Sequence, residues 1–178
     1  MKTMNHSDIR SIEGCPHSDL EQPEGLAVIA IGNAQPRRFG NLNNVISQPT
    51  LENVCKFKVR ANAEDLATYL KGHKAAIIID SGTNSDEPGT ISLIDLGAML
   101  SKNTLVKINT RHGYYLTRQL RQLKKSGQLP ARIIFFGVEN GDSHPTHNNK
   151  NNHPSTSQSP KTLTLLINKA AQALKQHA

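Results

Sequence analysis

The sequence predicts an α/β fold, a three-layer α/β/α sandwich around a mostly parallel, twisted sheet. Short apolar runs rich in β-branched or aromatic residues have the composition of strands that are buried on both faces. Amphipathic helical patterns alternate with these runs, as expected for strand–helix–strand units with parallel strands. The apolar runs cover residues 26–31, 75–79 and 133–136, and the main helical patterns cover 63–70, 114–125 and 160–174.

The length of 178 residues is that of a single domain. Hydrophobic residues make up 36% of the chain and the mean hydropathy is -0.49, because polar segments dilute an otherwise ordinary globular composition. We expect a flexible N-terminal extension at 1–24 and one α/β domain at 25–178, with a polar loop at about 141–158.

Composition also limits the classes of partner and compartment. The net charge of +7 is a weak indication of nucleic-acid binding, because aromatic residues are only 4% of the chain. The spacing of Cys15 and Cys55 is neither a disulfide framework nor a metal signature, so we expect free thiols in a reducing compartment. Since the sequence has no signal-peptide core and no membrane-length apolar run, it predicts a cytoplasmic protein.

The first half of the domain begins with a strand at 26–31 that runs into Gly32-Asn33 and a loop containing Gly40. This pattern is typical of a strand–loop–helix unit, but no dinucleotide-binding or phosphate-binding fingerprint is present. A short, weak helix is expected at 41–48. Residues 55–59 alternate between apolar side chains and lysine, which predicts a half-exposed edge strand.

A helix at 63–70, ended by Gly72, leads into the most apolar strand, which closes on Asp80 at its carboxyl end. Ligands of open α/β sheets bind outside the carboxyl ends of the strands, so Asp80 is the first candidate functional residue. An aspartate at this position is also a common turn or capping residue, and that alternative stays open.

The second half supplies a strand at 90–94, a helix at 114–125, a strand at 133–136 and a last helix that starts at Ser159-Pro160. His112 precedes the first of these helices. A carboxylate and an imidazole at one sheet edge suit a transition metal such as nickel or zinc, or a base and its orienting group in hydrolysis. We therefore expect Asp80 and His112 to share one notch open to solvent.

Several segments, in order and with suitable spacing, resemble the hydrogenase maturation proteases, the HycI/HybD-type peptidases. The matching segments are Leu26–Asn33, Gly40, Ile77–Gly82 with Glu87–Thr90, Thr110-Arg111-His112, Ile133–Glu139 and Ser159-Pro160. The resemblance covers about residues 25–175 and implies a phosphorylase/hydrolase-like α/β/α fold. It also implies removal of the C-terminal tail from the large subunit of nickel-iron hydrogenase, with nickel supplied by the substrate.

By the same resemblance, Asp80 and His112 are the metal-contacting and catalytic residues, and Gly32, Asn33, Arg38 and Gly40 bind the substrate. The family places an acidic pair just before the glycine that matches Gly40, where this chain has Arg38-Phe39. Neither side chain can donate an electron pair to a metal. Replacement ligands are expected among a set of polar residues nearby: Glu139, Asp142, His144, His147 and His153. Alternatively, Arg38 binds a carboxylate of the substrate tail.

The leading hypothesis is a hydrogenase maturation protease-like protein that acts as a monomer on the nickel-loaded large-subunit precursor. The missing carboxylate keeps open a second hypothesis, a non-catalytic binding module that docks on a hydrogenase subunit without cleaving it. Binding of nucleic acid through the basic helix at 114–125 is a third and weaker alternative.

Overall fold

A single six-stranded sheet organises the computed structural model, which describes residues 11–12, 25–31, 54–59, 66–82, 90–102, 108, 110, 112–139 and 160–176. The strands are β1 (Ser11–Ile12), β2 (Leu26–Ile31), β3 (Val54–Val59), β4 (Ala75–Gly82), β5 (Ile91–Asp95) and β6 (Arg132–Glu139). Their order across the sheet is β1-β3-β2-β4-β6-β5. The four central strands are parallel, and β1 and β5 are antiparallel at the two edges.

Helices cover both faces of this sheet, so the predicted three-layer α/β/α arrangement is confirmed. One face packs against α1 (Leu66–Leu70), α2 (Leu96–Ser101) and α3 (Gly113–Lys125), and the other packs against α4 (Pro160–Lys175). The α3 side chains that enter the core are Leu116, Leu120 and Leu123, which lie on one face of the helix predicted at 114–125. The buried α4 side chains are Leu163, Ile167, Ala171 and Leu174.

The central strands are apolar on both sides because each face of the sheet has its own core. Ala76 and Ile78 of β4 enter the core beneath α3, whereas Ile77 and Ile79 enter the core beneath α4. This alternation places Asp80 on the α3 side of the sheet, in line with Ala76 and Ile78. Asp80, which directly follows the continuous apolar run of β4, is therefore buried on the side of the sheet that α3 covers.

Three local expectations need correction. Helix α2 was not predicted from the apolar pattern; its signal is Asp95, whose carboxylate accepts a hydrogen bond from the Ala98 amide at 2.9 Å. Lys58 is exposed as expected, but Lys56 is buried, and burial lowers the pKa of its ammonium group. Cys55 is disulfide-bonded, so the expectation of free thiols is wrong for this residue.

Strand β1 lies within the predicted N-terminal extension, where Ser11 and Ile12 pair with Phe57 and Lys56 of β3. The pairing places β3 one strand in from the edge. The weak helix expected at 41–48 and the polar loop expected at 141–158 lie outside the described residues, and the division into extension and domain stays a prediction. None of the described helices combines the length and the hydrophobicity of a membrane span.

Candidate active site

Asp80 is positioned by the two strands that flank the end of β4. It lies directly beside Ile31 of β2 and Gly137 of β6 in the parallel register. The side chain is 0% exposed, and its Oδ1 accepts a hydrogen bond from the backbone amide of Ser81 at 2.8 Å. The local bond resembles a turn-forming contact, which was the alternative interpretation of this residue, but it engages only one of the two carboxylate oxygens.

His112 is positioned by the way in which α3 begins. It occupies the residue before the helix, with its backbone carbonyl accepting from the Leu116 amide at 2.9 Å. The next residue, Gly113, donates its amide to the Thr110 carbonyl and lies so close to Ile108 that a Cβ would stand 1.9 Å from the Ile108 carbonyl oxygen. Glycine is therefore required at this position, and this close approach sets where the His112 ring stands.

The two predicted residues meet: His112 Nδ1 lies 2.8 Å from Asp80 Oδ1, although the residues are 32 positions apart in sequence. Since the carboxylate oxygen is the acceptor, Nδ1 carries the hydrogen, and the lone pair of the neutral ring is on Nε2. A carboxylate that fixes the tautomer and direction of a histidine is a recurring arrangement around metal ligands and catalytic bases.

The pair is more buried than the sequence led us to expect. His112 is 7% exposed and Asp80 is fully enclosed, so the expected notch open to solvent is instead a buried contact with His112 on its outer side. Asp80 Oδ2 has no hydrogen-bond partner among the described residues. A buried carboxylate oxygen without a donor is unusual in a stable structure and points to a bound group or to a functional role.

Gly137, which pairs with Asp80, and two residues next to Gly137 were not predicted as part of the site. Ser92 of β5 lies opposite Gly137, and its hydroxyl donates to the Gly137 carbonyl at 3.3 Å. Thr110 has a buried hydroxyl, and its methyl carbon lies 3.7 Å from where a Gly137 Cβ would stand. The available signal was position alone: Thr110 stands two residues before His112, and Gly137 closes the apolar run of β6.

Of the proposed replacement ligands, Glu139 lies at the same end of the sheet. It is buried, and it follows Gly137 by two positions on β6, so it extends from the same face as Asp80. Within the residues that the structure describes, no group of three or more His, Cys, Asp or Glu side chains is arranged to hold a metal ion. Asp142, His144, His147 and His153 lie outside the described residues.

The predicted substrate-binding residues Gly32, Asn33, Arg38 and Gly40 also lie outside the described residues. The chain enters this segment from Ile31, the residue that pairs with Asp80. Their role therefore stays a prediction, as do the roles assigned to Asp80 and His112.

Fold and site together define an α/β protein with a carboxylate–imidazole pair at the carboxyl end of its central strand. A model of the family "Hydrogenase maturation protease", HycI, matches residues 50–149, which is more than half of the chain. The chain belongs to the hydrogenase maturation protease family, as its resemblance to that family predicted. The function that this supports is that of a HybD-like maturation peptidase, and the alternative of a non-catalytic docking module is not favoured.

Two solved structures share the fold. The hydrogenase maturating endopeptidase HybD from E. coli aligns with a TM-score of 0.59 and 15% identity, covering 84% of this chain and 93% of that one. The [NiFe] hydrogenase maturation protease HybD from Thermococcus kodakarensis aligns with a TM-score of 0.57 and 16% identity, covering 83% and 99%. A comparison with curated proteins gave no significant match.

Proposed function

We propose that this protein is an endopeptidase that removes the C-terminal tail of a nickel-iron hydrogenase large-subunit precursor, with His112 and Asp80 at its active centre. The observation that carries the proposal is the 2.8 Å contact between Asp80 Oδ1 and His112 Nδ1 in a chain of this family. Because Nδ1 is committed to the Asp80 carboxylate, the lone pair of the neutral ring is on Nε2, which is the nitrogen that can accept a proton.

His112 acts as the general base in this proposal. Its Nε2 takes a proton from water as the water oxygen bonds to the carbonyl carbon of the peptide bond. The proton then passes to the amide nitrogen, the carbon–nitrogen bond breaks, and the tail leaves with a new amino terminus. Asp80 holds the ring in the required tautomer and stabilises the imidazolium that forms between the two proton transfers.

Nickel belongs to the substrate in this proposal, as the family resemblance implies. Imidazole nitrogen is a suitable nickel ligand, and Nε2 is the ring nitrogen that Asp80 leaves uncommitted. Direct contact between Asp80 and nickel, which the resemblance also implies, depends on Oδ2, because Oδ1 already accepts two hydrogen bonds. Nε2 has a single lone pair, so contact with the ion and acceptance of the proton are alternative roles of His112, and Asp80 holds the ring in both.

The proposal also covers substrate recognition, the oligomeric state and the cellular compartment. Gly32, Asn33 and Gly40 bind the substrate, and Arg38 binds a carboxylate of its tail, since a guanidinium is suited to bidentate carboxylate binding. The protein acts as a monomer in the cytoplasm.

The test is incubation of the purified protein with nickel-loaded large-subunit precursor, followed by intact-mass measurement. We expect the precursor mass to fall by the mass of its tail. Asp80→Asn and His112→Gln should each slow cleavage by about 10²–10⁴-fold, the usual contribution of a positioned base. Asp95→Asn is the matched control, because an asparagine at the start of α2 still caps that helix and the position is remote from the site.

Two results would contradict the proposal. An unchanged precursor mass with the unaltered protein removes the peptidase activity, and co-purification without cleavage then favours the docking module. If Asp80→Asn and His112→Gln cleave the precursor as fast as the Asp95→Asn control does, other residues carry out the catalysis.

A further inference from the structure

Helix α3 presents a row of tyrosine and basic side chains to solvent. The row consists of Tyr114, Arg118, Arg121 and Lys125, all of them exposed, and is called the α3 stripe below. The i, i+4, i+7, i+11 spacing puts these side chains on one face of the helix, opposite the leucines that enter the core. At about 1.5 Å per residue the stripe is about 16 Å long, and it begins directly beyond His112.

The positive charge of the α3 stripe is not balanced within the fold. Helix α3 contains no Asp or Glu, and in the part of the chain that the structure describes neither Arg118 nor Arg121 forms an ion pair. Like charges three or four positions apart weakly destabilise a helix. Lys125 lies in the last turn, where a cation interacts favourably with the helix dipole, but the two arginines lie in the middle of the helix.

Lys124 shows what a structural basic residue on this helix looks like. It lies off the α3 stripe, and its ammonium group donates a hydrogen bond to the Leu100 carbonyl at the end of α2. Arg118 and Arg121 make no comparable contact with the described residues, so their charges contribute nothing evident to the packing of α3.

The end of the α3 stripe nearest the candidate site is aromatic. Tyr114 and Tyr115 are 76% and 61% exposed, and their rings form an edge-to-face pair with centroids 5.7 Å apart. Both lie in the first turn of α3, which His112 directly precedes. Tyrosine and arginine are enriched at protein–protein interfaces, where they supply much of the binding energy.

We infer that the α3 stripe, together with Tyr115, is a docking surface for an acidic surface segment of the large-subunit precursor. Charge complementarity requires an acidic partner, because every charged side chain of α3 is positive. The tyrosines form the part of the contact that adjoins His112, so docking brings the precursor to the candidate site. The identity of this partner rests on the proposed function.

A protein is favoured over a nucleic acid as the acidic partner. Single-stranded nucleic acids bind along grooves in which aromatic side chains alternate with basic ones, so that successive bases can stack. In the α3 stripe the aromatic residues are confined to one end, and the chain belongs to a family of proteases.

The first test measures binding of nickel-loaded precursor to the full-length protein carrying His112→Gln, so that the precursor stays intact. Arg121→Glu in this background should raise Kd by at least about tenfold, and the loss should shrink as salt is added. Lys169→Glu is the matched control: it makes the same change of charge at an exposed position of α4, on the opposite face of the sheet. Its Kd should stay within about twofold of the parent value.

The outcomes separate this inference from the proposed function. Equal Kd values for Arg121→Glu and Lys169→Glu, or no binding of the precursor at all, would overturn the docking surface. Precursor that binds the unaltered protein without being cleaved would overturn the proposed function alone, and the comparison of the two variants would still decide the docking surface.

The second test asks whether Arg121 has a structural role. Arg121→Glu removes like-charge contacts and places a glutamate four residues before Lys125, a favourable pairing in a helix. We therefore expect a urea midpoint equal to or above that of the unaltered protein, although precursor binding is weakened. A lower midpoint would assign Arg121 to the stability of the fold and overturn its role in docking.

The aromatic end of the stripe is tested with Tyr114→Ala, against Leu165→Ala as the control at an exposed apolar residue of α4. Tyr114→Ala should raise the Kd for precursor by about fivefold or more with an unchanged urea midpoint, and Leu165→Ala should change neither. Equal binding by the two variants would overturn the aromatic part of the docking surface.

A nucleic-acid partner would give a different result. If a single-stranded oligonucleotide binds the protein more tightly than the precursor does, and Arg121→Glu abolishes that binding, the α3 stripe is a nucleic-acid site and the inference is overturned. We expect the oligonucleotide to bind more weakly than the precursor at the same salt concentration.

Discussion

Gly113→Ala is the sharpest perturbation of the candidate site, because one added carbon acts on the start of α3 without touching either functional side chain. The new Cβ would stand 1.9 Å from the Ile108 carbonyl oxygen and 2.8 Å from its carbonyl carbon. These are backbone atoms, so a side-chain rotation cannot relieve the contact. To reach an acceptable separation near 3.0 Å, the helix start and Ile108 must move apart by about 1.1 Å.

A displacement of that size is enough to break the pair. Applied along the 2.8 Å line between His112 Nδ1 and Asp80 Oδ1, it gives about 3.9 Å, beyond the range of a hydrogen bond. Overpacking costs about 1–3 kcal/mol, and leaving the buried carboxylate without its partner costs about 1–3 kcal/mol more. We expect a loss of about 2–6 kcal/mol in the free energy of unfolding together with loss of cleavage.

Gly127→Ala is the matched control at the other end of the same helix. Gly127 has φ 69° and nothing within 4 Å of its Cβ position, so the only cost is about 1 kcal/mol of left-handed backbone strain. The assays are urea denaturation and the rate of precursor cleavage, with the His112 ring resonances as a direct report on its environment. Equal stability, ring resonances and cleavage for Gly113→Ala and Gly127→Ala would refute the reasoning.

Three further predictions concern stability. Asp95→Ala should lower the free energy of unfolding by about 1 kcal/mol through loss of the α2 cap, with cleavage unchanged; an unaltered urea midpoint would show that the cap contributes nothing. Leu120→Ala should cost about 2–5 kcal/mol because the side chain is buried, whereas Leu93→Ala, at a residue that is 57% exposed, should stay within about 0.5 kcal/mol. Burial lowers the pKa of Lys56, so between its folded value and 10.5 the unfolded chain binds more protons and stability rises with pH. Relative to Lys56→Met, the unaltered protein should therefore gain stability as the pH approaches 10.5, and a pH-independent difference would contradict this.

The sheet could be predicted from sequence because its central strands have no polar face. Ile77, Ile78 and Ile79 are each fully buried, and only a strand covered on both sides explains such a run. Helix α2 escaped prediction because its six residues carry too little periodicity to be distinguished from a strand continuation. The burial of Lys56 could not be predicted, because the alternation of apolar residues and lysine indicated a half-exposed edge strand. In the structure β1 pairs alongside β3, so β3 is not at the edge of the sheet.

The meeting of Asp80 and His112 could be predicted from the sequence, but the burial of their contact and the residues around it could not. Asp80 was identified because it ends a buried strand, and His112 because it precedes a helix. The topology of the fold then places both residues at one edge of the sheet. The positions of Gly137 and Thr110 could not be deduced, because they depend on the register between β4 and β6 and on the path of the chain into α3. Neither is encoded in the local pattern around those residues.

The separation of Asp80 and His112 along the chain has a consequence for biosynthesis. Asp80 lies on the central strand β4, whereas His112 directly precedes α3. In a nascent chain the two side chains therefore cannot meet until α3 has packed against the sheet. Cleavage of the precursor would then begin only in fully folded molecules, and a partly folded intermediate would be inactive.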